Sequence, residues 1–386
     1  MRIAIIGPGF TGATLPLAQY LYKAGYKTDC YYFIVAGNRS IESLDFNQPL
    51  STKQIIEKVG VDNKLYNYLD KNINVYIMPV LKRHYTLEKY IVGHLLRFYN
   101  SIRTKVFIKW FINRRYDRII LIDHSDETHQ LGLALKSNGC KYITVYHEVL
   151  DNLIGGRMRK EVIESLRMSS QVVVHCEDIK KNIIDKSGID GIERRLSVIR
   201  FGPFESLWQY GKGREVPGVG EGFLLFLGRI TPYKGVKYLY EAIKMLPEKY
   251  KCKVVIAGSG KDPVLEMMND DSRFIVINRF IDNDEMVWLT QKCKAIVCPY
   301  VAASQSGLMA LSSAYNKPLI ATSVGAFPEV IEDGKNGYLA KSSDSNDLAR
   351  AIGQCLMDEK HQYDYLPERI NWNYIIKQYL DLFEKL

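Results

Sequence analysis

The chain has 386 residues, 47% hydrophobic and 25% charged, with a formal net charge of +9. That length exceeds one compact core and points to two domains of about 150–200 residues each. No apolar run approaches the roughly 18 residues that cross a bilayer, and the IAII run behind Met1 is too short for a signal peptide.

The seven cysteines, Cys30, Cys140, Cys176, Cys252, Cys293, Cys298 and Cys355, are scattered and contain no C-x-x-C pair. Reduced thiols in a cytoplasmic protein fit this better than disulfides or a zinc cluster.

MRIAIIGPGFTGATLPLAQYLYKAGYKTDCYYFIV reads as strand, glycine loop, helix and strand. Gly7, Gly9 and Gly12 fit G-x-G-x-x-G, which raises a dinucleotide site and with it a nicotinamide-dependent oxidoreductase. Such a site carries an acid at the end of the second strand; here that end is Phe33-Ile34-Val35-Ala36, and Asp29 lies at the strand's beginning. Residues 40–118 predict helical pieces at Thr52 to Val59 and Leu65 to Leu69, an NVYIMPV strand, and then basic, aromatic helices.

From Lys82 to Arg118 ten Lys or Arg stand against Glu88 and Asp117, a surplus of eight positive charges. Tyr85, Tyr90, Phe98, Tyr99, Phe107, Trp110, Phe111 and Tyr116 are interleaved with them. This mixture suits an anionic membrane surface, with Trp110, Phe107 and Phe111 entering the headgroup region. A solvated helical face packed on its aromatic side is the alternative. No motif that reads nucleic acid accompanies the charges, so no nucleic-acid partner is expected.

Strands at Arg118 to Ile122, Lys141 to Tyr146, QVVVH and SVIRF continue an alternation of strand and helix that predicts a parallel, doubly wound sheet. Gly202 and Pro203 end it, and GKGREVPGVGEG reads as a linker.

The pattern restarts with FLLFLGRITPYKGVKYLYEAI. Phe223 to Leu227 form an apolar strand, Gly228 stops it, and Val236, Leu239, Tyr240 and Ile243 recur at helical spacing. Arg229 leaves the strand and Lys234 precedes the helix. A helix start already carries partial positive charge, so each added cation is unfavourable by about 0.3–1 kcal/mol unless an anion sits there. The pair therefore predicts a phosphate, against the plainer reading of two solvated loop charges. KCKVVIAGSG, FIVINRF, KAIVCPY, KPLIATSV and NGYLA supply further strands, and Trp372 to Leu386 a closing helix.

LFLGRITPYKGVKYLYEAI resembles the first strand and helix of the nucleotide-binding domain of family 4 glycosyltransferases, and the opening glycine loop with LAQYLYKAGYKTD resembles that family's start. The resemblance implies an α/β GT-B fold of two Rossmann-like, doubly wound parallel-sheet domains facing a cleft. Residues 1–203 would be the acceptor-side domain, 204–222 the linker, 223–362 the nucleotide-sugar domain and 363–386 a helix returning to the first domain. It gives Arg229 and Lys234 the donor diphosphate, with Gly228 and Gly258 in the donor-side turns. Gly9, Phe10, Thr11 and Gly12 become the acceptor-side loop, and His147, after YITVY, a contact of the donor sugar. Glu148, His124 and Asp126 rank below His147.

The family's paired glutamates would fall, counting back from Pro318, on Ala303 and Leu311, neither of which ionises. Ser304, Gln305, Ser306 and Gly307 offer hydroxyl, amide and backbone groups in their place, with helix capping as the plainer role for the serines. The implied reaction is a retaining, metal-independent transfer from a nucleotide-diphospho-sugar, UDP-sugars included, to a glycan or lipid-linked acceptor. Fixed cations and a helix start neutralise the leaving diphosphate, and no Asp-x-Asp metal triplet is expected. A bacterial protein at the inner face of the membrane follows from this reading. The missing glutamates leave a noncatalytic sugar-nucleotide-binding protein as the rival.

Overall fold

The structure, a computed structural model, describes residues 1–38, 40–46, 48–81, 90–122, 125–151, 156–247, 249–250, 252–358 and 370–386. The chain divides into two units, Met1–Arg200 with Trp372–Leu386, and Phe201–Asn371.

The first unit is built on an eight-stranded sheet. Its strands are β1 (Arg2–Gly7), β2 (Lys27–Val35), β3 (Glu57–Lys58), β4 (Asn74–Val80), β5 (Arg118–Ile122), β6 (Ile143–Tyr146), β7 (Gln171–Val174) and β8 (Leu196–Val198), in the order β8-β7-β6-β5-β1-β2-β4-β3. Only the edge strand β3 runs antiparallel. Ile3, Ile5, Ile120, Val145 and Val173 are fully buried, as strands covered on both faces require. Helix α1 (Thr11–Lys23) follows β1, α2 (Tyr90–Ile112) precedes β5, and α3 (Asp126–Ser137) follows it. The closing helix Trp372–Glu384 belongs to this unit and buries Trp372, Ile375, Ile376, Tyr379, Leu382 and Phe383 in its core, each worth about 1.5–3 kcal/mol.

Two local expectations fail here. Residues 52–59 form no helix, because the Arg103 guanidinium on α2 takes the carbonyls of Thr52 (2.8 Å) and Gln54 (2.5 Å) that a helix would spend on its own N–H groups. Leu65 to Leu69 reduces to a single 3-10 turn, Lys64–Asn67, capped by Asn63.

On α2 the aromatic side faces inward. Phe107 and Phe111 are 1% exposed against Tyr31, and Trp110 lies half-buried beneath the Arg114 guanidinium. Of the three rings expected in lipid headgroups, Phe107 and Phe111 are thus core residues, and Trp110 packs half-buried against them. The part of the basic belt at 82–89 lies outside the described residues.

The second unit holds six parallel strands, β9 (Leu224–Leu227), β10 (Val254–Ala257), β11 (Phe274–Ile277), β12 (Ala295–Cys298), β13 (Leu319–Thr322) and β14 (Gly337–Ala340), ordered β11-β10-β9-β12-β13-β14. Helix α4 (Val236–Met245) follows β9 and α5 (Gly307–Ala314) precedes β13. Residues 204–222, expected to be a linker, are part of this unit. Leu207, Tyr210, Val216 and Val219 are buried, Phe204 N donates to Ala310 O at 3.1 Å, and Trp208 Nε1 donates to Ala314 O at 3.0 Å. Glycine and charge dominate the composition of this stretch and mask the apolar residues that anchor it. All seven cysteines are free thiols.

Candidate functional site

Parallel sheets bind ligands beyond the carboxyl ends of their strands, where the strand order reverses. In the second unit that point lies between β9 and β12. The chain leaves β9 at Gly228 (φ 128°), and Ile230 N donates to Ser259 O at 2.9 Å. A 3-10 turn, Pro232–Lys234, and Gly235 (φ 69°) then lead into α4. From β12 the chain exits through Pro299 and Tyr300.

The two exits are stitched tightly. Val301 N donates to Tyr233 O at 2.8 Å, and a Cβ on Gly235 would lie 1.8 Å from Pro299 O. A Cβ on Gly258 (φ 146°), at the end of β10, would lie 1.9 Å from Gly228 O. Only glycine allows this approach of backbone to backbone.

Arg229 is exposed at the rim. Lys234 Nζ stands 3.6 Å over the Tyr300 ring and 5.3 Å from that of Tyr233. Burial lowers the Lys234 pKa to about 8, with the Arg229 charge acting in the same direction and Cys298 opposing. Among the described residues neither cation makes an ion pair. The Thr231 hydroxyl beside them is enclosed and makes no hydrogen bond. Two unneutralised cations, an unsatisfied hydroxyl and a helix start form an anion-binding constellation.

The turn before α5 splits its roles. Ser306 caps the helix, accepting from Leu308 N at 3.3 Å, with the Tyr300 hydroxyl 3.4 Å from its Oγ. Gly307 begins the helix against Phe204, and Ser304 O accepts from Ala326 N at 3.1 Å. Gln305 differs, because its Oε1 is enclosed without a hydrogen bond, a state that costs about 1–3 kcal/mol unless a donor arrives. Leu311, the counted place of the second glutamate, is 2% exposed in the core. Asp282-Asn283-Asp284 is an Asp-x-Asp triplet, contrary to expectation. It serves a helix start: Asp282 accepts from Glu285 N at 2.9 Å and pairs with Arg214.

In the first unit the reversal lies between β1 and β5, at the glycine loop. A Cβ on Gly7 would lie 2.8 Å from Ile122 Cβ. Phe10 adopts φ 59° and its ring lies 3.7 Å from that of His147, which in turn stacks on His175 at 4.7 Å. Burial holds the His147 pKa well below the ordinary value and brings that of His175 down to about 4, so both rings are neutral near pH 7.

A two-stranded hairpin, Ser40–Ile41 with Leu44–Asp45, lies over this loop. From its tip Glu42 Oε2 accepts from Gly12 N at 3.1 Å, and Thr11 Oγ1 lies 3.4 Å from the same oxygen and 3.0 Å from Ile41 O. The anion position of a dinucleotide fingerprint is thus filled by the chain's own carboxylate, which removes the ground for the oxidoreductase reading. Glu148 accepts from Val149 N at 2.9 Å, Asp126 pairs with Arg97 at 3.6 Å, and His124 lies outside the described residues. Glu42, Tyr300 and Thr231 carried no sequence signal. Each is defined by a contact with a segment remote in the chain or by burial.

Residues 221–358 match the family described as glycosyl transferases group 1. The chain is similar to an uncharacterized glycosyltransferase of Methanocaldococcus jannaschii, 31% identical over 146 residues, which span 36% of this chain and 39% of that protein. It is also similar to a poly(ribitol-phosphate) alpha-N-acetylglucosaminyltransferase of Staphylococcus aureus, 22% identical over 86% of this chain and 67% of the relative. The Anabaena protein HepE, solved with UDP-glucose, superimposes with a TM-score of 0.63 over 100% of both chains at 15% identity, a likeness of fold. The α/β fold with two Rossmann-like parallel sheets is GT-B.

Proposed function

Because residues 221–358 belong to the group 1 glycosyl transferases, we propose that the chain moves a sugar from a nucleotide-diphospho-sugar to an acceptor hydroxyl, with retention and without a metal. One observation carries this reading: Arg229 and Lys234 stand unneutralised at the strand-order reversal of the matched unit, with Lys234 desolvated over Tyr300. They hold the diphosphate and neutralise it as it leaves. The Thr231 hydroxyl and Gln305 Oε1, enclosed without partners, complete the donor site. Gln305 accepts from a sugar or ribose hydroxyl, in place of the absent glutamates. Gly9, Phe10, Thr11 and Gly12 receive the acceptor, with His147 behind Phe10 as a neutral contact.

UDP-sugars are the first donors to test, as HepE, alike in fold, was solved with UDP-glucose. The Staphylococcus aureus relative acts on poly(ribitol-phosphate), as its name states, which favours a cell-surface or lipid-linked glycan acceptor reached from the inner face of the membrane.

Transfer assays with a panel of sugar nucleotides test the reaction, and turnover is expected to survive EDTA. Loss on chelation with recovery on adding magnesium or manganese would overturn metal independence. Tight nucleotide binding with neither transfer nor hydrolysis would favour the noncatalytic reading, which the apolar Ala303 and Leu311 motivate.

A further inference from the structure

Helix α2 has two apolar faces, and only one is packed. Phe107 and Phe111 point inward, beside Asn100, Arg103 and Thr104. On the other side Phe98 is 67% exposed and Leu95 62%, and Tyr99, Ile102 and Val106 are exposed as well. At about 100° per residue these five fall within an arc of about 100°, centred opposite the packed rings. A helix facing water alone would carry polar residues there. Lys109 sits on the same arc and Lys105 beside it, both exposed, while Arg97, on the far side of the helix, is engaged by Asp126.

The mixture of apolar stripe and lysines selects the occupant. A second copy would set Lys105 and Lys109 against their own kind, within a stretch that has eight surplus positive charges from Lys82 to Arg118. An anionic bilayer satisfies both halves of the face. Among the described residues no helix is long and apolar enough to cross a membrane, so α2 would lie in the interface plane.

We propose that the outward face of α2, from Leu95 to Val106, docks on an anionic lipid surface. Leu95, Phe98, Ile102 and Val106 enter the acyl boundary, and Lys105 and Lys109 lie among the headgroup phosphates. The proposal rests on the reading of a membrane-borne acceptor and assigns the contact to residues other than the buried Phe107 and Phe111.

Sedimentation with phosphatidylcholine vesicles, with and without phosphatidylglycerol, tests it. The wild-type chain binds only the anionic vesicles and is released as salt rises, because each lysine contributes about 1 kcal/mol at an anionic surface. Phe98→Glu with Ile102→Glu, at exposed positions where folding is undisturbed, lowers binding at least about tenfold, and Lys105→Glu with Lys109→Glu does the same. Both variants keep the wild-type affinity for UDP by calorimetry. Equal binding to neutral and anionic vesicles, undiminished binding by the Phe98/Ile102 variant, or a dimer in sedimentation velocity that this variant dissolves would each overturn the proposal. Absent UDP binding with intact vesicle binding would instead sink the transferase reading and leave the docking face standing.

Discussion

The two units place a glycine turn at the same topological position, the strand-order reversal of a parallel sheet, and treat it in opposite ways. In the first, a hairpin folds over the loop and Glu42 answers the Gly12 N–H from within the chain. In the second, no carboxylate answers Arg229 or Lys234 among the described residues, and the Thr231 and Gln305 oxygens are enclosed without partners. The geometry of a sheet offers an anion site. Whether that site serves a ligand depends on what the rest of the chain puts into it.

Breaking the second turn has the largest expected effect. Arg229→Ala or Lys234→Ala lowers nucleoside diphosphate affinity by about 1.5–3 kcal/mol, roughly 10- to 150-fold, as for charge-assisted hydrogen bonds. Calorimetry that finds both variants unchanged would remove the donor site from β9 and β12. Gly258→Ala probes the scaffold of that turn. Its Cβ would meet Gly228 O at 1.9 Å in a backbone at φ 146°, which costs at least about 2 kcal/mol of stability. Gly9→Ala in the first turn shares the strained backbone, at φ 155°, but its Cβ meets only the tip of Ile41, at 3.1 Å, so thermal melts should rank it below Gly258→Ala.

Titration sharpens the contrast further. Lys234 has its pKa lowered to about 8 by burial, so the lysine is mostly charged at pH 7 and mostly neutral at pH 9. The diphosphate binds the charged form, so affinity falls as pH rises through 8, by about tenfold at most between those limits. Lys234→Arg, charged throughout, should flatten the profile. An unchanged slope in that variant would show that another group titrates.

What the sequence made legible follows the range of the interactions. The strand from Leu224, the stop at Gly228 and the helix from Val236 are local patterns of apolar spacing and glycine, and they stand within a residue or two of their expected places. The two cations of the second turn were legible for the same reason, because Arg229 and Lys234 sit beside one helix start. Tyr300 beneath Lys234, and Arg103 reaching the Thr52 and Gln54 carbonyls, join segments far apart in the chain that no spacing connects. Helix α2 was ambiguous because its apolar residues surround it, and packing against Tyr31 decides which of them turn inward.

The smallest effect belongs to Glu42, and it tests the comparison from the filled side. Its carboxylate sits at the start of α1, where an acceptor of backbone N–H groups adds about 0.5–1 kcal/mol through capping and the helix dipole. Burial, which raises the Glu42 pKa against the backbone N–H groups that lower it, offsets part of that gain. Glu42→Ala should therefore lower the midpoint of thermal unfolding by a few degrees and, on the proposed function, leave nucleoside diphosphate affinity untouched, because Arg229 and Lys234 belong to the other unit. Glu42→Gln retains an oxygen at the same place and should recover most of the loss. If Glu42→Ala instead changed diphosphate affinity as strongly as Lys234→Ala, the first glycine loop would be a nucleotide site after all, and the division between a filled and an open turn would not hold.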